Sequence, residues 1–260
     1  MNSLRMLFVS MLTLSILVAC SQDDTKDTVK EDETQTTNKV EESNETEDTA
    51  EKDTESEESI DEDKELTAIK DKGESVESYH AVIDMNANLD NSEEESLNLD
   101  VNYINGENPA FELQTFGELR MVSVDGQTYF NNSEEWVDIS DSVELNALFH
   151  VTYDQAVQYF SDIYNELERI EEGDEVKYVY EGDDGFVYNR LEQYLQVNFG
   201  TVNTTDHQTK IEFTVDDKEK LIKDVEFSSE INDQEGGIEF DGEIHYDEFD
   251  KIEPIALPEM

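Results

Sequence analysis

Alternation of apolar and polar residues is the dominant pattern of this chain from Tyr79 onward. Over residues 79–90 the apolar side chains fall on one face and the polar ones on the other, and the alternation returns over 97–103. This period of two predicts two strands, each with one face toward water, joined as an antiparallel hairpin. Further short apolar runs, separated by turn residues, extend the hairpin into a meander: 111–116, 119–124, 127–130 and 136–139.

The pattern changes to a helical period at Thr152. Apolar residues spaced by three and four predict an amphipathic helix from Thr152 to Ile170, and Thr152–Gln155 matches a capping box. Gly173 is predicted to end this helix, and a short strand follows over 176–180. A second helix is predicted from about Asp184, with Gly200 as its stop.

The last third of the chain returns to the strand period. Three alternating segments predict a second meander, which with the first could form the halves of one continuous sheet: 211–215, 225–231 and 238–246. The apolar face of such a sheet must be covered, and the amphipathic helices are the long elements available for this. The sequence therefore predicts an α+β fold, an antiparallel sheet covered by two to three helices. The third helix is left open, because residues 65–78 carry few apolar residues and include Gly73.

The N-terminus contains the single cysteine of the chain, Cys20, preceded by Leu17-Val18-Ala19. Arg5 and the apolar run 6–19 are typical of a secretory signal, and the run is too short for a convincing membrane span. This segment resembles the bacterial lipoprotein signal, which implies cleavage after Ala19 and a diacylglycerol on the Cys20 sulfur. The alternative is an uncleaved membrane anchor with a free thiol. A lone cysteine also excludes an internal disulfide.

Charge separates the rest of the chain into two parts. Residues 20–65 hold 20 Asp/Glu and 5 Lys with almost no apolar content, which predicts a disordered acidic tether behind a 1–19 signal peptide. As a flexible coil it spans roughly 35–40 Å or more. Residues 66–260, with 48 acidic and 11 basic residues, are predicted to form one folded domain. Such acidity excludes nucleic acid and anionic surfaces as electrostatic partners, and it suggests a host living at high salt or high external pH.

Residues with the chemistry of an active site are scattered. The four histidines occur singly, at His80, His150, His207 and His245, and no second cysteine accompanies Cys20, which argues against zinc. The chain has no nucleophile elbow and no phosphate-binding loop. We therefore expect a protein that is not an enzyme and that holds no metal and no cofactor.

Several short motifs resemble a known family of lipoproteins. They are Gly126–Tyr129 leading to Glu135-Trp136, Phe213–Asp216 with Leu221–Lys223, and the ending Ile252–Pro258. With the order of elements, they resemble extracytoplasmic lipoproteins with a carrier-type half-barrel, such as LolA and the mycobacterial lipid-binding lipoproteins. The chain is similar in particular to uncharacterised Gram-positive lipoproteins of the DUF6612 type. The resemblance implies a curved sheet, an open half-barrel whose concave apolar face is covered by the helices.

This resemblance implies a lipid-anchored protein at the outer face of the bacterial cytoplasmic membrane that binds a hydrophobic ligand or a lipid. Phe160, Tyr164 and Tyr194 are candidate pocket walls, although aromatic residues at helical spacing are more often core. Trp136 fits either an interfacial anchor or a cap on the barrel mouth. The alternative function is a structural or interaction lipoprotein of the cell surface, with a filled core and no ligand.

Overall fold

The computed structural model describes residues 57–89, 94–141, 151–197, 206–232 and 237–258. In these residues the helices are α1 (Glu57–Glu74), α2 (Tyr153–Ile163), which continues into a 3₁₀ turn at Tyr164–Glu166, and α3 (Gly185–Leu195). The strands, in chain order, are β1 (Ser78–Leu89), β2 (Glu95–Ile104), β3 (Ala110–Thr115), β4 (Glu118–Val124), β5 (Gln127–Asn131), β6 (Trp136–Asp138), β7 (Glu168–Glu172), β8 (Glu175–Gly182), β9 (His207–Asp216), β10 (Ile222–Asn232) and β11 (Gly237–Asp247).

All of these strands belong to one antiparallel sheet. Its order is β6-β5-β4-β3-β2-β1-β11-β10-β9-β8-β7, so β6 and β7 are its edges and the sheet is open. The N-terminal meander β1–β6 and the C-terminal meander β7–β11 join where β1 pairs with β11, with Ala81 opposite Tyr246. The prediction that the two meanders are halves of one sheet is confirmed.

Each long strand buries one face, as its alternation predicts. In β10 the side chains of Val225, Phe227 and Ile231 are buried, whereas those of Glu226 and Glu230 are exposed. Because successive side chains of a strand point to opposite faces, this pattern gives the sheet an apolar face and a polar face.

Helices α2 and α3 pack on the apolar face of the sheet. The Tyr159 ring of α2 lies 5.5 Å from the Phe213 ring of β9, and the Tyr194 hydroxyl of α3 lies 2.8 Å from the Tyr246 hydroxyl of β11. The predicted cap of α2 is confirmed, since the Thr152 hydroxyl accepts a hydrogen bond from the Gln155 amide. Curvature of the sheet, and with it the half-barrel, stays a prediction.

Helix α2 is shorter than its sequence pattern predicts. It ends at Ile163, and residues 168–172 form the edge strand β7 instead of two more helical turns. Gly173, with φ of +74°, lies in the tight turn between β7 and β8 and does not end the helix. The prediction was wrong here because Ile170 suits either element, and pairing with β8 decides the outcome.

Helix α1 is part of the folded unit despite its few apolar residues. Ile69 is fully buried in the core, and the Glu65 carboxylate lies 2.9 Å from Arg169 Nε. The helix begins at Glu57, so the boundary predicted at 65/66 falls within it. No described helix is both long and apolar enough to pass through a bilayer.

Candidate functional site

Phe160 and Tyr164, two of the predicted pocket walls, lie in the packed core between α2 and the sheet. The Phe160 ring is fully buried and meets the rings of Tyr178 and Phe213 edge-on, at centroid distances of 4.9 and 5.1 Å. Tyr164 contacts Phe160 at 5.4 Å. Rings at these distances leave no room between them for a ligand, so in this structure the two residues act as core.

Tyr194, the third candidate, belongs to a cluster of buried tyrosines joined by hydrogen bonds. Its hydroxyl pairs with that of Tyr246, the Tyr153 amide donates to the Tyr79 hydroxyl at 3.1 Å, and the Ile222 amide donates to the Tyr153 hydroxyl at 2.9 Å. Burial raises the pKa of Tyr153 and of Tyr194, so both stay neutral and serve as hydrogen-bonding groups. These bonds tie both helices to the joined strands β1 and β11.

Tyr159 is a buried tyrosine of this core whose hydroxyl makes no hydrogen bond within the described ranges. Its ring stacks on Tyr194 at 5.2 Å, and its hydroxyl has no hydrogen-bond partner among the described residues. A buried hydroxyl without a partner costs about 1–3 kcal/mol. The unpaired Tyr159 hydroxyl therefore lies beside the contact between α2 and α3.

The apolar face continues beyond the helices as a transverse row of seven directly paired residues, which we call the apolar row: Tyr246, Ala81, Val101, Leu113, Met121, Phe130 and Val137. Exposure is zero for Val101, 7% for Leu113 and 9% for Met121, and it reaches 38% for both Phe130 and Val137. The row thus carries apolar surface from the core to the open edge of the sheet. Sequence analysis missed it, because alternation places each residue on a face but does not give the pairing register.

The polar face bears a second transverse row, the carboxylate row: Asp84, Glu243, Glu226 and Glu212, each directly opposite the next. These side chains line a shallow groove of about 540 Å³ that also includes Lys210. A second depression of about 420 Å³ adjoins it, with Glu230 and Glu239 in its lining. Both are open and polar, so they do not suit an acyl chain.

The described histidines lie apart from the aromatic core around α2. His80 and His245 lie on the polar face, as predicted, and both contact Asp247. His207 is buried at the start of β9 against the Tyr188 ring, 4.7 Å away. His150 lies outside the described residues. Within the described ranges no group of His, Cys, Asp and Glu side chains has the geometry of a metal site.

Cys20 and Trp136 are the remaining positions that the sequence analysis singled out. Cys20, the predicted lipid attachment site, lies outside the described residues. Trp136 begins the edge strand β6 opposite Asn131 and is partly exposed, beside the exposed end of the apolar row. Phe116, which the sequence pattern places at the end of the strand 111–116, lies instead in the turn between β3 and β4 and is 71% exposed.

Comparison with known proteins gives distant similarities of structure. The chain is similar to LprF from Mycobacterium bovis, with 12% identity and a TM-score of 0.42, over 77% of this chain and 97% of that one. It is similar to the lipoprotein LppX from Mycobacterium tuberculosis, with 11% identity and a TM-score of 0.36, over 76% of this chain and 99% of that one. A LolA superfamily protein from Nitrosomonas europaea gives 10% identity and a TM-score of 0.26, over 75% and 94%.

The sequence comparisons identify no relative. No protein-family model matches the chain, and no curated protein matches it. The expected likeness to DUF6612-type lipoproteins therefore stays a prediction.

Proposed function

We propose that this protein is a lipid-anchored lipoprotein at the outer face of the bacterial cytoplasmic membrane, and that it is a binding protein for a hydrophobic ligand or lipid. The anchor is the diacylglycerol on Cys20, and the acidic segment before α1 holds the domain away from the headgroups. The observation that carries the binding function is the exposed end of the apolar row at Phe130 and Val137.

The apolar row supports this function because it links an exposed apolar surface to the core. Phe130 and Val137 lie directly opposite each other on β5 and β6, and Met121 follows on β4. Contiguous apolar surface on a folded protein marks a place where a ligand, a partner or a membrane binds. An acyl chain lying along these residues would be removed from water on the face that the helices also use.

The proposed ligand position differs from the one suggested by the helix aromatics. Neighbouring rings occupy the space around Phe160, Tyr164 and Tyr194. The apolar row, in contrast, extends past them to the open edge of the sheet. We also propose that the apolar face is the concave face of a half-barrel, with the strands β3–β6 forming the part open to ligand.

The second candidate is a structural or interaction lipoprotein of the cell surface with no ligand. The observation that favours it is the closed aromatic core, in which Tyr79 alone contacts three other tyrosine rings at 5.3–5.8 Å. If the core is complete, Phe130 and Val137 are simply the edge of a filled domain.

Native mass spectrometry of the protein purified from its host distinguishes these functions. A hydrophobic ligand appears as a discrete added mass that is lost on denaturation, and Phe130→Ser should reduce the occupied fraction several-fold. Phe116→Ser is the matched control, since Phe116 is more exposed but lies in a turn outside the row. A mass of the anchored polypeptide alone, in the wild type, would favour the second candidate.

The anchor is tested independently of the ligand. Cys20→Ala should leave the protein unprocessed or release it from the membrane fraction, because the modified sulfur holds the mature chain on the bilayer. Unchanged processing and unchanged membrane fractionation of this variant would contradict lipidation.

A further inference from the structure

The pairing of β1 with β11 is the joint of the whole sheet. Among the described strands it is the one ladder that connects the N-terminal meander to the C-terminal meander. We call this ladder the seam. His80 of β1 and Asp247 of β11 lie directly opposite each other near its end, 167 residues apart in the chain.

A chain of five alternating acidic and histidine side chains crosses the seam on the polar face. His80 Nδ1 lies 2.7 Å from Asp247 Oδ1, and His80 Nε2 lies 3.3 Å from Asp100 Oδ1 on β2. On the other side, His245 Nδ1 lies 2.6 Å from Asp224 Oδ1 on β10, and His245 Nε2 lies 3.7 Å from Asp247 Oδ2. The order across four strands is therefore Asp100, His80, Asp247, His245, Asp224.

Both ring nitrogens of His80 face a carboxylate oxygen. A neutral imidazole donates from one nitrogen only, whereas the imidazolium donates from both. The arrangement of Asp100, His80 and Asp247 is thus fully hydrogen-bonded only when His80 is protonated. When the ring is neutral, one carboxylate loses its donor.

Acidic residues also flank this chain, and the nearby Lys223, which precedes Asp224, lies over the Phe249 ring and pairs with Glu219. Glu112 of β3 lies on the same face, opposite Asn102, which is in turn opposite His80, and Glu243 and Asp84 begin the carboxylate row further along the seam. No Lys or Arg of the described residues forms an ion pair with Asp100, Asp247 or Asp224. Protonation of His80 is consequently what offsets the Asp100 and Asp247 carboxylates.

We propose that Asp100, His80 and Asp247 form a pH-sensitive clasp, which fastens the two meanders when His80 is protonated and loosens the seam when His80 is neutral. Burial by itself would lower the pKa of His80, but Asp247 and then Asp100 outweigh it and raise the pKa above the ordinary value. A raised pKa in the folded state stabilises the fold fully below the ordinary histidine pKa. This stabilisation is lost as the pH rises through the raised pKa.

Hydrogen exchange of the full chain in detergent tests the clasp. Protection factors, corrected for intrinsic exchange, are measured by mass spectrometry at about pH 5.5 and about pH 8.5, on either side of the ordinary histidine pKa of about 6.5. Peptides covering β1 and β11 should lose protection several-fold at the higher pH in the wild type. The loss should disappear in His80→Gln, and peptides covering β8 and β9 should show a smaller loss.

His245→Gln is the matched control, because the His245 side chain pairs with Asp224 of β10 and Asp247 of β11 and with no carboxylate of β1 or β2. The His245→Gln variant should keep most of the pH-dependent loss of hydrogen-exchange protection in β1. If His80→Gln does not fold, Asp100→Asn, which removes the negative charge of one of the two carboxylates at His80, should reduce the loss of protection. The clasp is refuted by equal protection of the seam at both pH values, by an undiminished loss in the His80 or Asp100 variant, or by a loss of the same size in β8 and β9.

Discussion

Gly73 of α1 lies against Val157 of α2 so closely that a Cβ at position 73 would be 2.7 Å from Val157 Cγ2. Real Cβ atoms do not approach other carbons to this distance, and the χ1-restricted valine side chain cannot easily turn away. The glycine that made α1 look weak in the sequence is therefore the residue that lets α1 reach α2.

Gly73→Ala is expected to destabilise the protein by about 1 kcal/mol. The substitution gains up to about 1 kcal/mol of helix propensity but incurs overpacking of about 1–3 kcal/mol. Urea denaturation measures the difference. In the Val157→Ala background the same substitution should become stabilising, because the clash is removed. Stabilisation by Gly73→Ala in the wild-type background would show that α1 does not pack on α2 as described.

Glu65→Gln is expected to destabilise the protein by about 1–2 kcal/mol at neutral pH. The Glu65 side chain is 14% exposed and binds Arg169 Nε at 2.9 Å and Lys220 Nζ at 3.2 Å, which are charge-assisted contacts. Glu171→Gln is the control, because Glu171 binds the same Arg169 but is 75% exposed. It should cost less than about 0.5 kcal/mol.

The Glu65 contribution should also depend on pH. Burial alone would raise the pKa of Glu65, but the bonds to Arg169 and Lys220 outweigh it and lower the pKa below its usual value. A lowered pKa in the folded state stabilises the protein above the ordinary pKa, and this stabilisation is lost as the pH falls through the lowered value. The difference between the wild type and Glu65→Gln should therefore shrink toward about pH 3. A difference that is constant with pH would contradict the ionised pairing.

Glu243→Gln is expected to stabilise the protein by about 0.5–1 kcal/mol, because Glu243 lies directly opposite Asp84 on one side and Glu226 on the other. Added NaCl at about 1 M should raise the wild-type melting temperature and diminish this gain, since the Debye length falls to about 3 Å. Glu212→Gln is the control within the same row. Glu212 Oε1 lies 2.7 Å from Lys177 Nζ, so its neutralisation should not stabilise.

The salt dependence of the melting temperature tests the repulsion within the carboxylate row, and it also tests the hypothesis that explains the acidity of the chain. If NaCl fails to raise the melting temperature, the hypothesis of a host adapted to high salt is wrong. Stabilisation by Glu212→Gln equal to that of Glu243→Gln would show that the general charge of the surface matters more than direct opposition across strands.

Alternation and helical spacing predicted most elements because their physical cause is local. The strands around Val225 and Ala81 bury every second residue, and Thr152 caps α2 through a hydrogen bond three residues away. The same patterns could not separate the edge strand β7 from a continuing helix, because Ile170 has little packing on either interpretation and pairing with β8 decides.

The sequence predicts the apolar character of the candidate site but not the position of the residues that form it. The sequence places Phe160, Tyr164 and Tyr194 on apolar helix faces, but the contacts that make them core are with residues of distant strands. Phe130 stood at the end of a predicted strand with no sign of a role. Its place in the apolar row depends on the register of the six ladders that join the row.

Local sequence patterns establish the acidity of the chain, the alternating strands with one apolar face, the two amphipathic helices and the cysteine behind a secretory-type segment. Each of these follows from residues close together in the chain. The folded chain sets the pairing of β1 with β11, the contact of His80 with Asp247 and the alignment of four carboxylates across the sheet. Those contacts join residues far apart in sequence, and strand register, which no local pattern encodes, sets them.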